Sequence, residues 1–330
     1  LEHFPLALAQ MGAYLRDTLI RPEEFLDQLT HEFSSLLDEV GPDGHYNKPL
    51  AAAWNVQLEN LRRGTERDRE LKLLVREFIQ LCSFFAPRPL KRTLFHRARG
   101  ISDNRALSRI LGDDRTLNKV LRYMSRHSLV ELDRRNYTFQ FHGSFQAVVR
   151  NKLADDERVR LRDLAHRLLA QSDPLGPENP QNWPEYQIYY AHAVESQAWR
   201  SRDVQVRNLV RNIAVYLLET NNPVMAQRLV DSAISSWYDD PAQRFEMELL
   251  RNNSLRLQDR YSLALEESDR IFSERRELDG EDSEEVLDAR RARAIALAQL
   301  GEFEDAMEEF RAIRERVVEL YTEEDENALV

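Results

Sequence analysis

Cys82 is the only cysteine among 330 residues, so a disulfide framework is excluded. Its place inside the apolar run Phe78-Ile79-Gln80-Leu81-Cys82-Ser83-Phe84-Phe85 marks it as core filler. No hydrophobic stretch approaches the ~20 residues of a bilayer span, and no signal-peptide pattern is visible. A cytoplasmic protein without membrane contact is the expectation. Lysine occurs only at 48, 72, 91, 119 and 152, against 41 arginines; this bias speaks of a GC-rich genome more than of a function. No Gly-Lys pair occurs, so no Walker A loop cradles phosphates, and no acidic strand end for magnesium is evident. The histidines, at 3, 31, 45, 96, 127, 142, 166 and 192, show no His-Glu-x-x-His or Cys/His metal spacing. No Gly-x-Ser-x-Gly elbow accompanies them. The chain is therefore not expected to be an enzyme or to hydrolyse ATP by itself.

What is present is charge, unevenly placed. The net charge of −11 combines two opposite regions. Arg88 to Lys152 holds 15 Lys/Arg against five acids, whereas Tyr238 to Val330 holds 13 arginines against 27 acids. Such asymmetry points to an anionic ligand at one end and a basic partner at the other, or to solvated helix faces. With 42% hydrophobic and 31% charged residues, the chain has the composition of a helical protein of two or three units.

A register repeats near the C-terminal end. Tyr238-Asp239-Asp240-Pro241, Gly280-Glu281-Asp282-Ser283 and Thr322-Glu323-Glu324-Asp325 lie 42 residues apart. The same offset carries Tyr261 onto Phe303, Ala264 onto Ala306 and Phe245 onto Leu287. A period of this length holding two amphipathic helices signals a stacked helical array, which buries a shared core and leaves a long surface for a partner. In the clearest unit, Ala289 to Leu300 is predicted as one helix and Glu304 to Tyr321 as the next. Gly301 supplies the left-handed turn between them. Ala294, Ala298 and Ala306 allow close approach, and Phe303 and Phe310 are expected to fill the seam. The preceding unit, Gln258 to Ala264, puts Asp259 at the glycine position, and a weaker one runs from Thr220 to Ala226. The Leu-Gly-x-Phe-x-x-Ala pattern resembles the tetratricopeptide repeat, in its longer, kinesin-light-chain-like variety. Acidic pairs such as Glu308-Glu309 read as solvent-facing, and Trp183, Tyr186, Tyr189 and Tyr190 as packed helix core or a peptide pocket.

The middle of the chain predicts a helix over Leu71 to Phe85, ended by Pro87 and Pro89. A short helix at Leu94 to Ala98, a polar loop, and a helix from Thr116 to His127 follow. Leu129 to Asp133 and Tyr137 to Phe141 alternate around the turn Arg134-Arg135-Asn136, which predicts a two-stranded hairpin. A further helix runs from Ser144 to Leu153. Three helices followed by such a hairpin make a winged helix. Its basic helix would offer Arg115, Lys119, Arg122 and Arg126 to DNA phosphates and bases. Against that role, Leu117, Val120, Leu121 and Met124 occupy one face, and the basic residues read as scattered.

Five further segments carry a resemblance. Glu2-His3-Phe4-Pro5-Leu6-Ala7-Leu8 resembles the Gly-x-Pro-Leu-Ala-Leu motif of NB-ARC, or STAND-class, signalling ATPases. Ala51 to Leu58 is similar to that family's approach to its winged helix. Phe141-His142-Gly143 sits where the family keeps its Met-His-Asp motif. Asn182-Trp183-Pro184 and Leu81 to Pro87 are similar to the tetratricopeptide proteins of the actinobacterial FxSxx-COOH systems. The resemblance implies that Pro5 packs on adenine and that His142 touches the β-phosphate of ADP, in an intact parent that binds ADP/ATP with Mg. On the residues alone, Pro5 equally starts a helix, and His142 equally caps or packs locally. Two departures fall on the same motifs: His3 replaces the glycine and Gly143 the aspartate.

The expected fold is mainly α, a winged-helix domain with a small β-hairpin followed by a right-handed tetratricopeptide superhelix. The expected domains are a partial helical subdomain (1–47), the winged helix (48–153), connecting helices (154–204) and repeats of about 42 residues (205–330). Leu1 opens inside an apolar helix and Leu329-Val330 falls where another repeat would begin, so a larger parent is expected. The resemblance implies a regulatory arm: the winged helix holds the ADP-bound state, and a protein or peptide on the repeats releases it, with self-oligomerisation on activation. A component of a peptide-modification system is the partner that the narrower resemblance implies. The alternative is a transcriptional regulator that uses the basic winged helix on DNA.

Overall fold

The computed structural model describes residues 66–96, 98, 100–280 and 283–327, with isolated positions 21, 23, 24 and 58 before them. These residues are mainly α-helical and divide into two compact units. The first holds the described residues up to Asp173 together with Gln187–Val206. The second holds Pro174–Tyr186 and the described residues from Arg207 onward.

In the first unit, α1 (Glu66–Cys82) buries Leu74, Val75, Phe78, Ile79 and Cys82. These positions recur every three or four residues, so they form one apolar face. After Pro87 and Pro89 come β1 (Leu90–Lys91), α2 (Thr93–His96), α3 (Arg105–Gly112) and α4 (Asp114–Arg126). Strands β2 (Glu131–Asp133) and β3 (Thr138–Gln140) precede α5 (Gly143–Asn151) and α6 (Asp155–Gln171). Most of helix α7 (Trp183–Ser196), from Gln187 onward, also belongs to this unit. α1 packs against α3, α4, α5 and α6.

Two expectations are corrected here. The segment predicted as a polar loop contains α3. Asn104 caps it by accepting from the Ala106 and Leu107 amides at 2.9 and 3.0 Å, while Ala106, Leu107, Ile110 and Leu111 are buried. The predicted two-stranded hairpin is one side of a three-stranded antiparallel sheet in the order β1-β3-β2. Phe139 on the central strand lies opposite both Leu90 and Leu132. The hairpin turn is closed by Asp133, whose carboxylate accepts from the Arg135 and Asn136 amides at 2.8 and 3.2 Å. Behind the sheet, Phe78, Phe85, Phe95, Phe139, Phe141 and Phe145 are all buried. Their ring centroids stand 5.0 to 6.2 Å apart. Each such pair adds ~0.5–1.5 kcal/mol beyond its buried area.

The turn that ends α1 is held from a distance. Gln146 on α5 donates to the Cys82 and Phe85 carbonyls, both at 2.9 Å. Arg150 donates to the Ser83 carbonyl at 2.6 Å, and His192 Nδ1 on α7 accepts from the Ala86 amide at 3.1 Å. Backbone groups that no helix can satisfy thus find side-chain partners inside the core. Burial pushes the His192 imidazole down to about 4, and burial likewise lowers His166, whose Nε2 lies 2.8 Å from the Ser196 carbonyl.

The second unit contains most of α8 (Val204–Glu219), then α9 (Pro223–Ile234), α10 (Pro241–Arg256), α11 (Tyr261–Asp279), α12 (Glu284–Leu300) and α13 (Phe303–Asn327). From α9 onward each helix packs on the next, and α10 also touches α12. Three helix-to-helix turns share one geometry. Asn221, Asp259 and Gly301 take φ of 56°, 59° and 89°. The following amides of Asn222, Arg260 and Glu302 bond the Leu217, Leu255 and Leu297 carbonyls at 2.7, 3.0 and 3.0 Å. Ala226, Ala264 and Ala306, at matched positions in the next helix, are all buried. The last two units are offset by 42 residues and the first two by 38, so the period shortens toward the start of the unit.

The sequence register is corrected at its end. α13 continues to Asn327, so Thr322-Glu323-Glu324-Asp325 lies within a helix and is not the turn that Tyr238 to Pro241 and Gly280 to Ser283 bracket. Phe303 and Phe310 do not fill a seam: they are 66% and 38% exposed, while Ala306 and Ile313 of the same helix are buried.

Candidate functional site

Among the described residues, α4 and the β2–β3 hairpin carry a concentration of exposed basic side chains. Asp113 caps α4, accepting from the Arg115 and Thr116 amides at 3.2 and 3.0 Å and from the Thr116 hydroxyl at 2.5 Å. That hydroxyl bond, with the amide bonds, holds the Asp113 carboxyl below its usual range. Leu117, Val120, Leu121 and Met124 form the buried face. Arg115, Lys119, Arg122 and Arg126 are all exposed on the opposite side. Their spacing of four, three and four residues places them within an arc of about 60° at ~100° per residue. They form a straight basic stripe about 16 Å long, which corrects the reading of these residues as scattered.

An open groove of about 630 Å³ runs between α4 and the hairpin. Arg92, Arg122, Arg126, Asp133, Arg134 and Tyr137 are among the residues that line it. Arg115 and Lys119 lie farther along the helix and do not line the groove. Asp113, Asp114 and Asp133, and Glu70 beside them, have local partners, whereas Asp103 and Glu131 are exposed. Asp114 pairs with His96 at 2.6 Å and with Arg92 at 3.5 Å. Glu70 pairs with Arg109, which lowers its carboxyl. Asp133 is tied to the turn it closes through the Asn136 side chain at 2.6 Å. Arg122, Arg126 and Arg134 have no carboxylate partner among the described residues. Arg92, Arg134 and Tyr137 join the site through the sheet, which brings β1 and the hairpin beside α4; the turn residues Arg134 and Arg135 were the only advance signal.

His142 lies outside this groove. It is exposed at the N-cap of α5, and its carbonyl accepts from the Phe145 and Gln146 amides at 3.1 and 3.2 Å, while its side chain does not cap the helix. With Ser125, Ser128, Glu131 and Gln140 it borders a separate open pocket of about 340 Å³. The hydroxyl, amide and imidazole groups there suit a single phosphate, and Glu131 opposes one. Gly143 has its own packing reason: a Cβ there would stand 3.3 Å from Pro87. Pro5 and the residues around it lie outside the described residues, as does the Ala51 to Gln57 segment. Among the described residues no cluster of His, Cys, Asp and Glu could hold a metal, and no helix is long and apolar enough to cross a membrane.

The second unit carries its charge differently. Arg251 joins Glu267 and, at 3.6 Å, Asp231. Arg270 reaches the buried Glu248 at 3.3 Å and Glu267 at 3.1 Å. Arg293 joins Asp269 at 2.5 Å and also Glu309, which Arg290 holds at 3.0 Å. These pairs run from α9 through to α13. Glu309 is therefore half-buried and paired, contrary to its reading as a solvated acid, while Glu308 is exposed. Tyr186 and Tyr189 are buried, and Tyr186 stacks on Tyr216 at 5.6 Å. No protein-family model matches the chain, and comparisons with curated proteins and with solved structures return no match.

Proposed function

We propose that this chain is the regulatory and partner-recognition arm of a STAND-type nucleotide switch, built from a winged helix and a tetratricopeptide-like superhelix. The observation that carries the recognition half is the repetition of one turn geometry at Asn221, Asp259 and Gly301, each followed by a buried alanine. Units that repeat in this way stack into an array whose broad face receives a protein or peptide. The regulatory half rests on motif resemblance, supported by the exposed position of His142 at a helix start, where an imidazole can donate to a phosphate. Pro5 and His142 would contact the adenine and phosphate of ADP or ATP, with Mg, in the intact parent. The nucleotide supplies the free-energy difference between closed and open states, and a partner shifts that balance only if it binds the two states unequally.

The test is calorimetric titration of ADP and ATP into the gene product extended upstream of Leu1, beside His142→Ala. Tight ADP binding weakened about tenfold or more by the variant, a loss of ~1.4 kcal/mol, supports the switch. Absence of binding to either nucleotide rejects it and leaves the repeat array as a scaffold.

A further inference from the structure

We propose that α4 and the β2–β3 hairpin form a docking surface for duplex DNA, independent of any nucleotide switch. Four observations converge. First, Arg115, Lys119, Arg122 and Arg126 make one exposed stripe along a helix whose opposite face is anchored by Leu117, Val120, Leu121 and Met124. Second, three of the segment's five acids are engaged locally, Asp113 in a helix cap, Asp133 in a turn and Asp114 with His96 and Arg92, while Glu70 pairs with Arg109; Glu131 stays exposed on β2. Third, the adjoining groove, which Asp133 and the Asp114-paired Arg92 also line, adds Arg134, and the hairpin tip carries exposed Arg134, Arg135 and Tyr137. Fourth, the surrounding segment from Arg88 to Lys152 has 15 basic residues against five acids in a chain whose net charge is −11, so this is a local field and not a general one.

The shape selects among polyanions. A single helix about 20 Å long with a projecting hairpin fits the B-DNA major groove, which is about 12 Å wide. The deep, narrow major groove of A-form RNA does not admit such an element. The stripe meets phosphates and base edges, and the hairpin arginines take the flanking backbone. Arginine-dominated contacts of this kind supply affinity first and sequence preference second.

The experiment is fluorescence anisotropy with a labelled mixed-sequence DNA duplex of about 25 base pairs and the full 330-residue chain, titrated between about 50 and 200 mM salt. The expected dissociation constant is roughly 1–100 µM near physiological salt, with a log–log salt slope of about −4 to −5 for four to six phosphate contacts. Charge reversal by Arg122→Glu with Arg126→Glu should weaken binding more than tenfold and flatten the slope by about 2. Arg160→Glu with Arg167→Glu, exposed on α6, makes the same change in net charge away from the surface and should leave the slope in place. Equal losses in the two double variants would reduce the effect to bulk charge and overturn the proposal. A flat wild-type slope, or no binding at the lowest salt, overturns it without any variant. Tighter binding to a duplex RNA of the same length would assign the surface to RNA and remove DNA as its ligand.

Discussion

In the first unit Arg122, Arg126 and Arg134 stand at the surface with no carboxylate partner among the described residues, whereas in the second Arg251, Arg270, Arg290 and Arg293 each pair with a carboxylate on a neighbouring helix. The same side chain is thus left uncompensated in one place and consumed by the fold in the other. A guanidinium suits both situations because it presents several donors in a fixed plane and stays charged. The difference teaches that a charge count along the sequence does not give surface charge. Even in the acidic half, arginines are spent holding helices together, and in the basic middle Asp113 and Asp133 are spent on a cap and a turn. Histidine divides the units too, since residues 174–186 and 207–330 contain none.

The largest expected effect exploits that last division. His192 is neutral when folded, with its pKa lowered by burial to about 4, against ~6.5 in the unfolded chain. Above pH ~6.5 neither state binds the proton; below it the unfolded chain does, so stability is lost as pH falls from ~6.5 toward ~4, by about 3 kcal/mol in all. His166 acts in the same direction. Denaturant unfolding between pH 7 and 5 should therefore lower the stability of the first unit while that of the second stays level. A first unit indifferent to pH in this window would remove the buried, neutral assignment of both histidines.

A smaller effect separates the two kinds of arginine. Arg270→Ala leaves buried Glu248 with Arg244 alone at 3.3 Å and should cost about 2 kcal/mol. Arg122→Ala removes no ion pair and should change stability by less than ~0.5 kcal/mol. Equal costs in chemical denaturation would dissolve the distinction. Smallest is the turn geometry: Gly301→Ala places a side chain at φ 89° and should cost about 1 kcal/mol. Asn221→Gly, at φ 56°, should instead gain a few tenths of a kcal/mol.

Local patterns made much of this legible in advance. The apolar face of α1, the hairpin around Arg134-Arg135-Asn136 and the Gly301 turn follow from periodicity and turn chemistry confined to a dozen residues or fewer. Asp259 at the glycine position looked like a departure, yet it takes the same left-handed backbone, because a short polar side chain tolerates it and here accepts from the Tyr261 hydroxyl at 2.5 Å. The basic stripe is also written in the spacing from Arg115 to Arg126, opposite the apolar face of the same helix. α3 was missed although Asn104 signals its start. β1 carries no local signal, since two residues following Pro89 acquire strand geometry only by pairing with β3. The exposure of Phe303 and Phe310 was hidden because a repeat pattern specifies which residues face a neighbour without supplying the neighbour.

The clasp around Phe85 and Ala86 also has a consequence for synthesis. Its partners arrive late: Gln146 lies 61 residues after Phe85, and His192 106 residues after Ala86. At about 5–20 residues per second, the Ala86 amide waits roughly 5–20 s for its histidine as the chain emerges. Until then α1 and its flanking phenylalanines have no complete enclosure. The first unit can close only when translation has passed Pro174–Tyr186, a segment that belongs to the second.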